Sequence, residues 1–285
     1  MPPDLRSLSS KTVIVTGGAN GIGAQAIRTF HENGANIVIA DLPATRSAAE
    51  DLISSLSDSS RALYVPTDIS NWDNMKLLYQ QSIDRFGGVD IVIANAGAME
   101  SKEFYDFERD ENGELKEPVE AHRIVDINLK GAMNNGSRGS IVLIASTSGY
   151  FGGTSIVSYI ASKHGIIGLL RSSQRVANHL GVRVNAVAPF FTPTHITGSY
   201  SQKWMERGLP ANSVEDVALA IVRTSIDSEM KGHCCLVAGK KTREIEDARA
   251  RLVPQWIGAD MAQLMTEGGR LFDELGGYPL PKPRI

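Results

Sequence analysis

Cysteine is almost absent: the 285 residues hold two, Cys234 and Cys235, side by side. Neighbouring cysteines close no stabilising loop, so a disulfide-stapled scaffold is excluded. There is no surplus of charge of one sign either. Twenty-nine Lys and Arg stand against 32 Asp and Glu, for a net charge of −3, which argues against a nucleic-acid or acidic-membrane binder. Long apolar runs are missing. The longest, around residues 91–98, is strand-sized and far short of the ~18 residues of a membrane span. Residues 1–11 are polar and contain proline, without the apolar segment of a secretory signal. The histidines at 31, 122, 164, 179 and 233 show no metal-ligand spacing, so no metal is expected. What remains is length and a 42% hydrophobic composition, enough for the core of one large domain. The chain reads as a soluble, cytoplasmic, globular protein.

The organisation is an alternation of strand and helix. Short runs rich in Val and Ile occupy residues 13–15, 36–40, 62–65, 89–94, 140–145, 183–188 and 233–237. Their apolar residues are continuous rather than alternating, as in strands buried on both faces of a parallel sheet. Helix-length stretches separate them, at 22–32, 45–56, 72–86, 117–129, 158–180 and 214–225. Ser70 and Asn71 are candidate N-caps of the third, Gly87 can end it, and Gly34 and Gly181 follow the first and fifth. Repeated βα units of this kind predict an α/β fold, a doubly wound parallel sheet of about seven strands with helices on both faces, the Rossmann arrangement. Residues 100–120 read as an exposed polar loop. Residues 1–240 are expected to form one nucleotide-binding domain holding the site. The tail, 241–285, carries helix-like stretches at 244–252 and 260–275 and then a Pro-rich end. It belongs either to the same domain or to an arm that reaches a neighbouring subunit.

Directly after the first strand comes Thr16-Gly17-Gly18-Ala19-Asn20-Gly21-Ile22-Gly23. Glycines let the backbone turn tightly and approach a pyrophosphate, and the following helix N-terminus offers free N–H groups to that anion. The turn sits between a buried strand and an amphipathic helix, the context it requires. Asp41 closes the second strand eighteen residues beyond Gly23. A carboxylate there accepts from the adenosine ribose hydroxyls and repels a 2′-phosphate, so NAD is favoured over NADP, with Arg46 nearby as a softening influence.

Tyr159 and Lys163 lie four residues apart, on one face of a helix. A nearby ammonium stabilises a phenolate and makes tyrosine a usable base. Ser146 stands thirteen residues before Tyr159, just past the fifth strand, where ligands bind in such sheets. Together with Asp68-Ile69, Asn95-Ala96-Gly97, Asn128, Pro189 and Thr194, these residues occur in the order and spacing of a known family over residues ~10 to ~240. The chain resembles the short-chain dehydrogenases/reductases of the single-domain type. That resemblance implies NAD-linked oxidation of a secondary alcohol, or reduction of a ketone. Asn128 would hold a water in a proton relay, Ser146 would orient the substrate oxygen, and Tyr159 would act as acid or base. Lys163 would bind the nicotinamide ribose while tuning Tyr159. Asp68 and Ile69 would flank the adenine, residues 95–97 and Pro189 would lie beside the cofactor, and Thr194 would contact the carboxamide. It also implies a homodimer or homotetramer.

Two stretches depart from the family pattern. Pro189-Phe190-Phe191 stands where Pro-Gly is usual, so Phe190 either narrows the pocket or points outward. Between Asn128 and the fifth strand, residues 130–139 are too few for the usual helix, part of which family dimers commonly use. The stretch is a shortened variant or has lost residues between Gly131 and Gly139; the strand lead-in at 136–139 favours lost residues, and an intact mass of 30.8 kDa is the result against it. The substrate pocket is expected from Met99, Thr147, Tyr150, Phe151, Phe190, Phe191, His195 and Trp204, an aromatic, apolar set suited to a small apolar alcohol or ketone. A weaker resemblance is to 15-hydroxyprostaglandin-dehydrogenase-like and fungal secondary-metabolism members. The alternatives are an NADPH-dependent ketone reductase and, should the short stretch disable the site, a non-catalytic NAD-binding regulator.

Overall fold

Strands apolar at every position need cover on both faces, and the chain builds a three-layer arrangement that supplies it. The computed structural model describes residues 4–104, 107–136 and 139–281. Among them, eight strands form one sheet in the order β3-β2-β1-β4-β5-β6-β7-β8. They are β1 (Thr12–Thr16), β2 (Asn36–Asp41), β3 (Ala62–Pro66), β4 (Ile91–Ala94), β5 (Ser140–Ile144), β6 (Arg183–Pro189), β7 (Cys234–Ala238) and β8 (Lys241–Glu244). β1 runs parallel to both neighbours, with Val13 level with Ile37 of β2 and Ile91 of β4. The chain therefore winds outward from β1 in both directions, and a crevice opens at the carboxyl ends of β1 and β4.

By contact the chain divides into two compact units, Met1–Arg243 and Glu244–Ile285. The first holds α1 (Gly21–Glu32), α2 (Arg46–Ser54), α3 (Trp72–Phe86), α4 (Val119–Val125), α5 (Gly131–Met133), α6 (Val157–His179), α7 (Gly198–Glu206) and α8 (Val214–Ile226). Alternate residues of β1 feed two cores. Val13 and Val15 pack with Ile27 and Phe30 of α1 and Val217 and Ile221 of α8. Ile14 packs on the other face with Val38, Val65, Met75 and Leu78. Of the two caps expected for α3, Asn71 serves: its side chain accepts from Asp73 N at 2.9 Å and Asn74 N at 3.1 Å. Gly87 ends that helix at φ 83°, a conformation glycine adopts without strain. The second unit contains α9 (Glu246–Ile257) and α10 (Ala259–Glu274), joined at Gly258, φ 89°.

Several elements differ from expectation. β8 is an eighth strand; the short run Lys-Thr-Arg-Glu carries no apolar signal because an edge strand needs none. β4 begins two residues late, at Ile91. α7 was unforeseen, its polar sequence showing no apolar stripe. The helix expected over 117–129 is broken: α4 passes into a π turn, Asp126–Lys130, and then α5. Asn128 accounts for the widened turn, since its buried side chain accepts from Ala98 N (2.8 Å) and donates to Ala98 O (2.9 Å). Gly131 then passes so close to Ile69 that a Cβ would lie 2.5 Å from its Cδ1.

Among the described residues of the crossing to β5 there is no further helix. Asn134 donates through Nδ2 to Ile69 O (3.0 Å), and Gly136 N donates to the Tyr79 hydroxyl (2.6 Å). Ser137 and Arg138, part of that expected loop, lie outside the described residues, as do Tyr105 and Asp106 of the loop at 100–120. Within the latter loop Arg109 bridges Leu115 in a small hairpin across the turn at Gly113.

Candidate active site

The glycine turn is shaped by close approaches that only glycine permits. Gly17, at φ 64°, donates its N–H to Ala40 O (2.8 Å), and a Cβ there would stand 2.9 Å from the Ala96 Cα. Gly21 also has positive φ, 54°. Asn20 precedes α1 without a side-chain cap on it, so the first N–H groups of the helix keep their capacity to hold an anion. Asn95 braces the turn from β4, its Nδ2 donating to Thr16 O (2.9 Å) and Gly17 O (3.1 Å). Asp41 ends β2 with one carboxylate oxygen on Ala19 N (2.9 Å) and the other on Leu42 N (2.8 Å).

The side chains expected to react stand just past β5 and in the first turns of α6. Ser146 follows β5 in extended backbone, its hydroxyl accepting from Ser148 N at 3.1 Å. Gly149 lets α6 approach: a Cβ would sit 2.7 Å from Lys163 O. Lys163, buried, donates its Nζ to Ile144 O (2.7 Å) and lies 5.5 Å from the Tyr159 ring centroid. Asn128 Nδ2 donates to the Ser162 hydroxyl (2.9 Å), which in turn donates to Tyr159 O (2.7 Å).

Burial dominates the electrostatics. It pushes the Tyr159 phenol above its usual value; the hydrogen bond with Ser146 pulls the other way, and Tyr200 and Glu100 add to the rise. Burial also pushes the Lys163 ammonium down to about 8.

One cleft of about 1170 Å³ gathers these groups. Gly17, Asn20, Gly21, Ile22, Gly23 and Asp41 line one end, with Asn95, Ala96 and Gly97 beside them. Ser146, Tyr159 and Lys163 meet there, and Met99, Thr147, Pro189, Phe190, Phe191, Thr194, His195 and Trp204 also line the wall. The aromatic wall is layered. Phe191 stacks on Trp204 at 4.2 Å, and Phe190 meets the same ring edge-on at 5.5 Å. Phe190 lines the cleft while remaining 42% exposed.

Five expected residues stand outside that wall. Ile69 is buried beneath Gly131, and Asp68 is occupied with Ser70, accepting from its N–H and hydroxyl. Asn128 lies behind the wall, both amide hydrogens directed at Ala98 and Ser162. Phe151 is 69% exposed, and Tyr150 lies against Arg171, its ring centroid 5.9 Å from the guanidinium carbon. In their place come residues that went unnoticed, among them Thr45, Ile156 and Tyr200. Tyr200 and Trp204 are one helical turn apart on α7, a spacing that marks a shared face once the helix is known.

The residues fit a dinucleotide: a glycine cradle that a Cβ would fill, uncapped helix N–H groups and a carboxylate at the strand end. A family model described as short chain dehydrogenase matches residues 11–204. The chain belongs to the short-chain dehydrogenase/reductase family. It is therefore an oxidoreductase of a family that uses NAD(P). A short-chain dehydrogenase/reductase of Penicillium roqueforti, prx4, is 31% identical over 287 residues, covering 90% of this chain and 82% of the relative. That alignment is longer than this chain although a tenth of the chain lies outside it, so the relative carries segments this chain lacks. (+)-Borneol dehydrogenase 1 of Salvia officinalis is 34% identical over 72% of this chain and 78% of its own length. A crystal structure of a Brucella melitensis member, titled a glucose/ribitol dehydrogenase, superposes with a TM-score of 0.70 at 26% identity, covering 81% of this chain and 96% of its own. Among the described residues, no helix is long and apolar enough to cross a membrane.

Proposed function

We propose that this dehydrogenase transfers hydride between NAD and a small, apolar secondary alcohol or ketone, with Tyr159 as the acid or base. The observation that carries the reading is the convergence of Ser146, Tyr159 and Lys163 in one cleft with the glycine turn and Asp41. When bound, the dinucleotide supplies the hydride acceptor or donor. Gly17 to Gly23 and the α1 N-terminus hold its pyrophosphate, Asp41 its adenosine ribose, and Asn95 to Gly97, Pro189 and Thr194 its nicotinamide end. Ser146 donates to the substrate oxygen and orients it. Tyr159 accepts the hydroxyl proton in oxidation and returns it in reduction, and the Lys163 charge favours the phenolate. Asn128 acts from behind, holding the loop at Ala98 and the helix at Ser162.

NAD over NADP is supported by Asp41 and by Arg46, whose guanidinium is engaged with Glu50 (3.3 Å) and over the Tyr64 ring (5.2 Å). The walls of Phe190, Phe191 and Trp204 favour an apolar ring or chain over a sugar, and a borneol dehydrogenase among the relatives accords with that. The reading also includes residues 1–240 as the catalytic domain, a homodimer or homotetramer, and action in the cytoplasm.

NADH absorbance with a panel of cyclic and linear secondary alcohols tests the proposal. The expected result is turnover with NAD, a loss of at least about 100-fold in kcat for Tyr159→Phe, and a KM ratio that moves toward NADP in Asp41→Ala. Cofactor binding without turnover on the panel would leave a non-catalytic regulator. A lower KM for NADP than for NAD in the unaltered protein would overturn the cofactor assignment.

A further inference from the structure

α6 begins with an electrostatic and hydrogen-bonding need that its own sequence does not meet. The helix runs for 23 residues, and Ile156 before it has no side chain able to cap it. Its first N–H groups must find acceptors elsewhere. They find Glu100, a partly buried residue on the loop three positions past Gly97. One carboxylate oxygen accepts from Ser158 N at 2.9 Å and the other from Tyr159 N at 3.1 Å. The carboxylate is thus bound to the backbone of the very residue whose side chain is proposed as the acid or base. Its own loop is pinned on both sides. Asn128 holds Ala98 through both amide atoms, and the Glu120 carboxylate accepts from Ser101 N (3.1 Å) and Lys102 N (3.2 Å).

We propose that Glu100 is a positioning residue for Tyr159, a cap supplied from the β4 loop that fixes where the first turn of α6 presents the phenol. The inference rests on the dehydrogenase reading of the same cleft. The reason for a charged rather than a neutral cap follows from its place. A carboxylate binds the positive end of a long helix more firmly than an amide or hydroxyl. It also sets a negative charge near the phenol, opposing the phenolate. The other groups around Tyr159 are Lys163 on the same helix, Ser146 after β5, Tyr200 on α7, and His195 on the cleft wall. Removing the Glu100 charge leaves all of these in place, so the phenol should ionise at lower pH.

Glu100→Gln keeps one acceptor oxygen and loses the charge; Glu100→Ala loses both. The expected result is a kcat lower by roughly tenfold in Glu100→Ala and by less in Glu100→Gln, since small displacements of a reacting group are costly. The KM for NAD stays within about twofold. In both variants the acid limb of kcat/KM moves to lower pH. A cap that merely supports the fold would lower the melting temperature and leave that limb where it is. An unmoved limb in Glu100→Gln overturns the proposal, whatever happens to kcat or to the folding of Glu100→Ala. Should the unaltered protein turn nothing over, the dehydrogenase reading fails by itself. Ultraviolet titration of the tyrosines, with Tyr159→Phe to identify the relevant one, then still shows whether Glu100→Gln shifts its ionisation.

Discussion

Lys163 carries the clearest conflict between folding and chemistry. Burial depresses its folded value from 10.5 to about 8, so between those values the unfolded chain holds a proton that the native chain has released. Stability then rises with pH across that window, and below it the full cost of burying the ammonium is present. At 1.36 kcal/mol per unit that cost approaches about 3 kcal/mol. Lys163→Met removes it while leaving Ile144 O without its donor. At pH 7 the cofactor-free variant is therefore expected to be more stable than the parent by about 1–3 kcal/mol and inactive. Thermal melts at pH 7 and about pH 9.5 check this: the advantage must shrink at the higher pH, and a variant less stable at pH 7 contradicts it. Lys163 was legible in the sequence because its partner Tyr159 is one helical turn away. Glu100 was not, because its contact with Tyr159 spans 59 residues of chain.

Among the elements, the start of α6 depends on a glycine. Gly149 lies where a Cβ would come within 2.7 Å of Lys163 O and 3.0 Å of the Ile167 side chain. A backbone carbonyl cannot yield as a side-chain tip can, so Gly149→Ala must push α6 or the Ser146 turn. The expected outcome is a folded protein that loses at least about tenfold in kcat, with circular dichroism to confirm the fold and NADH absorbance to measure the loss. Undiminished kcat would mean the turn absorbs the methyl group. Regular elements were read from local pattern: β1 to β7 from continuous Val and Ile runs, α3 from its Asn71 cap and Gly87 stop. The π turn around Asn128 escaped that reading. Its cause is a tertiary hydrogen bond to Ala98 that no local periodicity encodes. α7 escaped because one side of a polar helix is committed by Tyr200 and Trp204 alone.

For the whole molecule, all residues of the cleft belong to the unit Met1–Arg243. A chain ending at Arg243 is therefore expected to fold and to bind NAD within about threefold of the full-length affinity, less than 1 kcal/mol by the tenfold-per-1.4 relation, as calorimetry would record. A loss of binding with the fold retained would give the tail a part in the site. The sequence by itself determined the doubly wound sheet, the glycine turn and the spacing of Ser146, Tyr159 and Lys163. Each of these follows from local rules: apolar periodicity, a backbone conformation open to glycine, one turn of helix. Only the tertiary structure decided that Phe190 lines the cleft while Phe151 does not, that Asn128 stands behind the wall, and that Glu100 caps α6. Those outcomes depend on the register between β4, β5 and β6, which brings distant loops to one end of the sheet, and no single stretch of chain contains it.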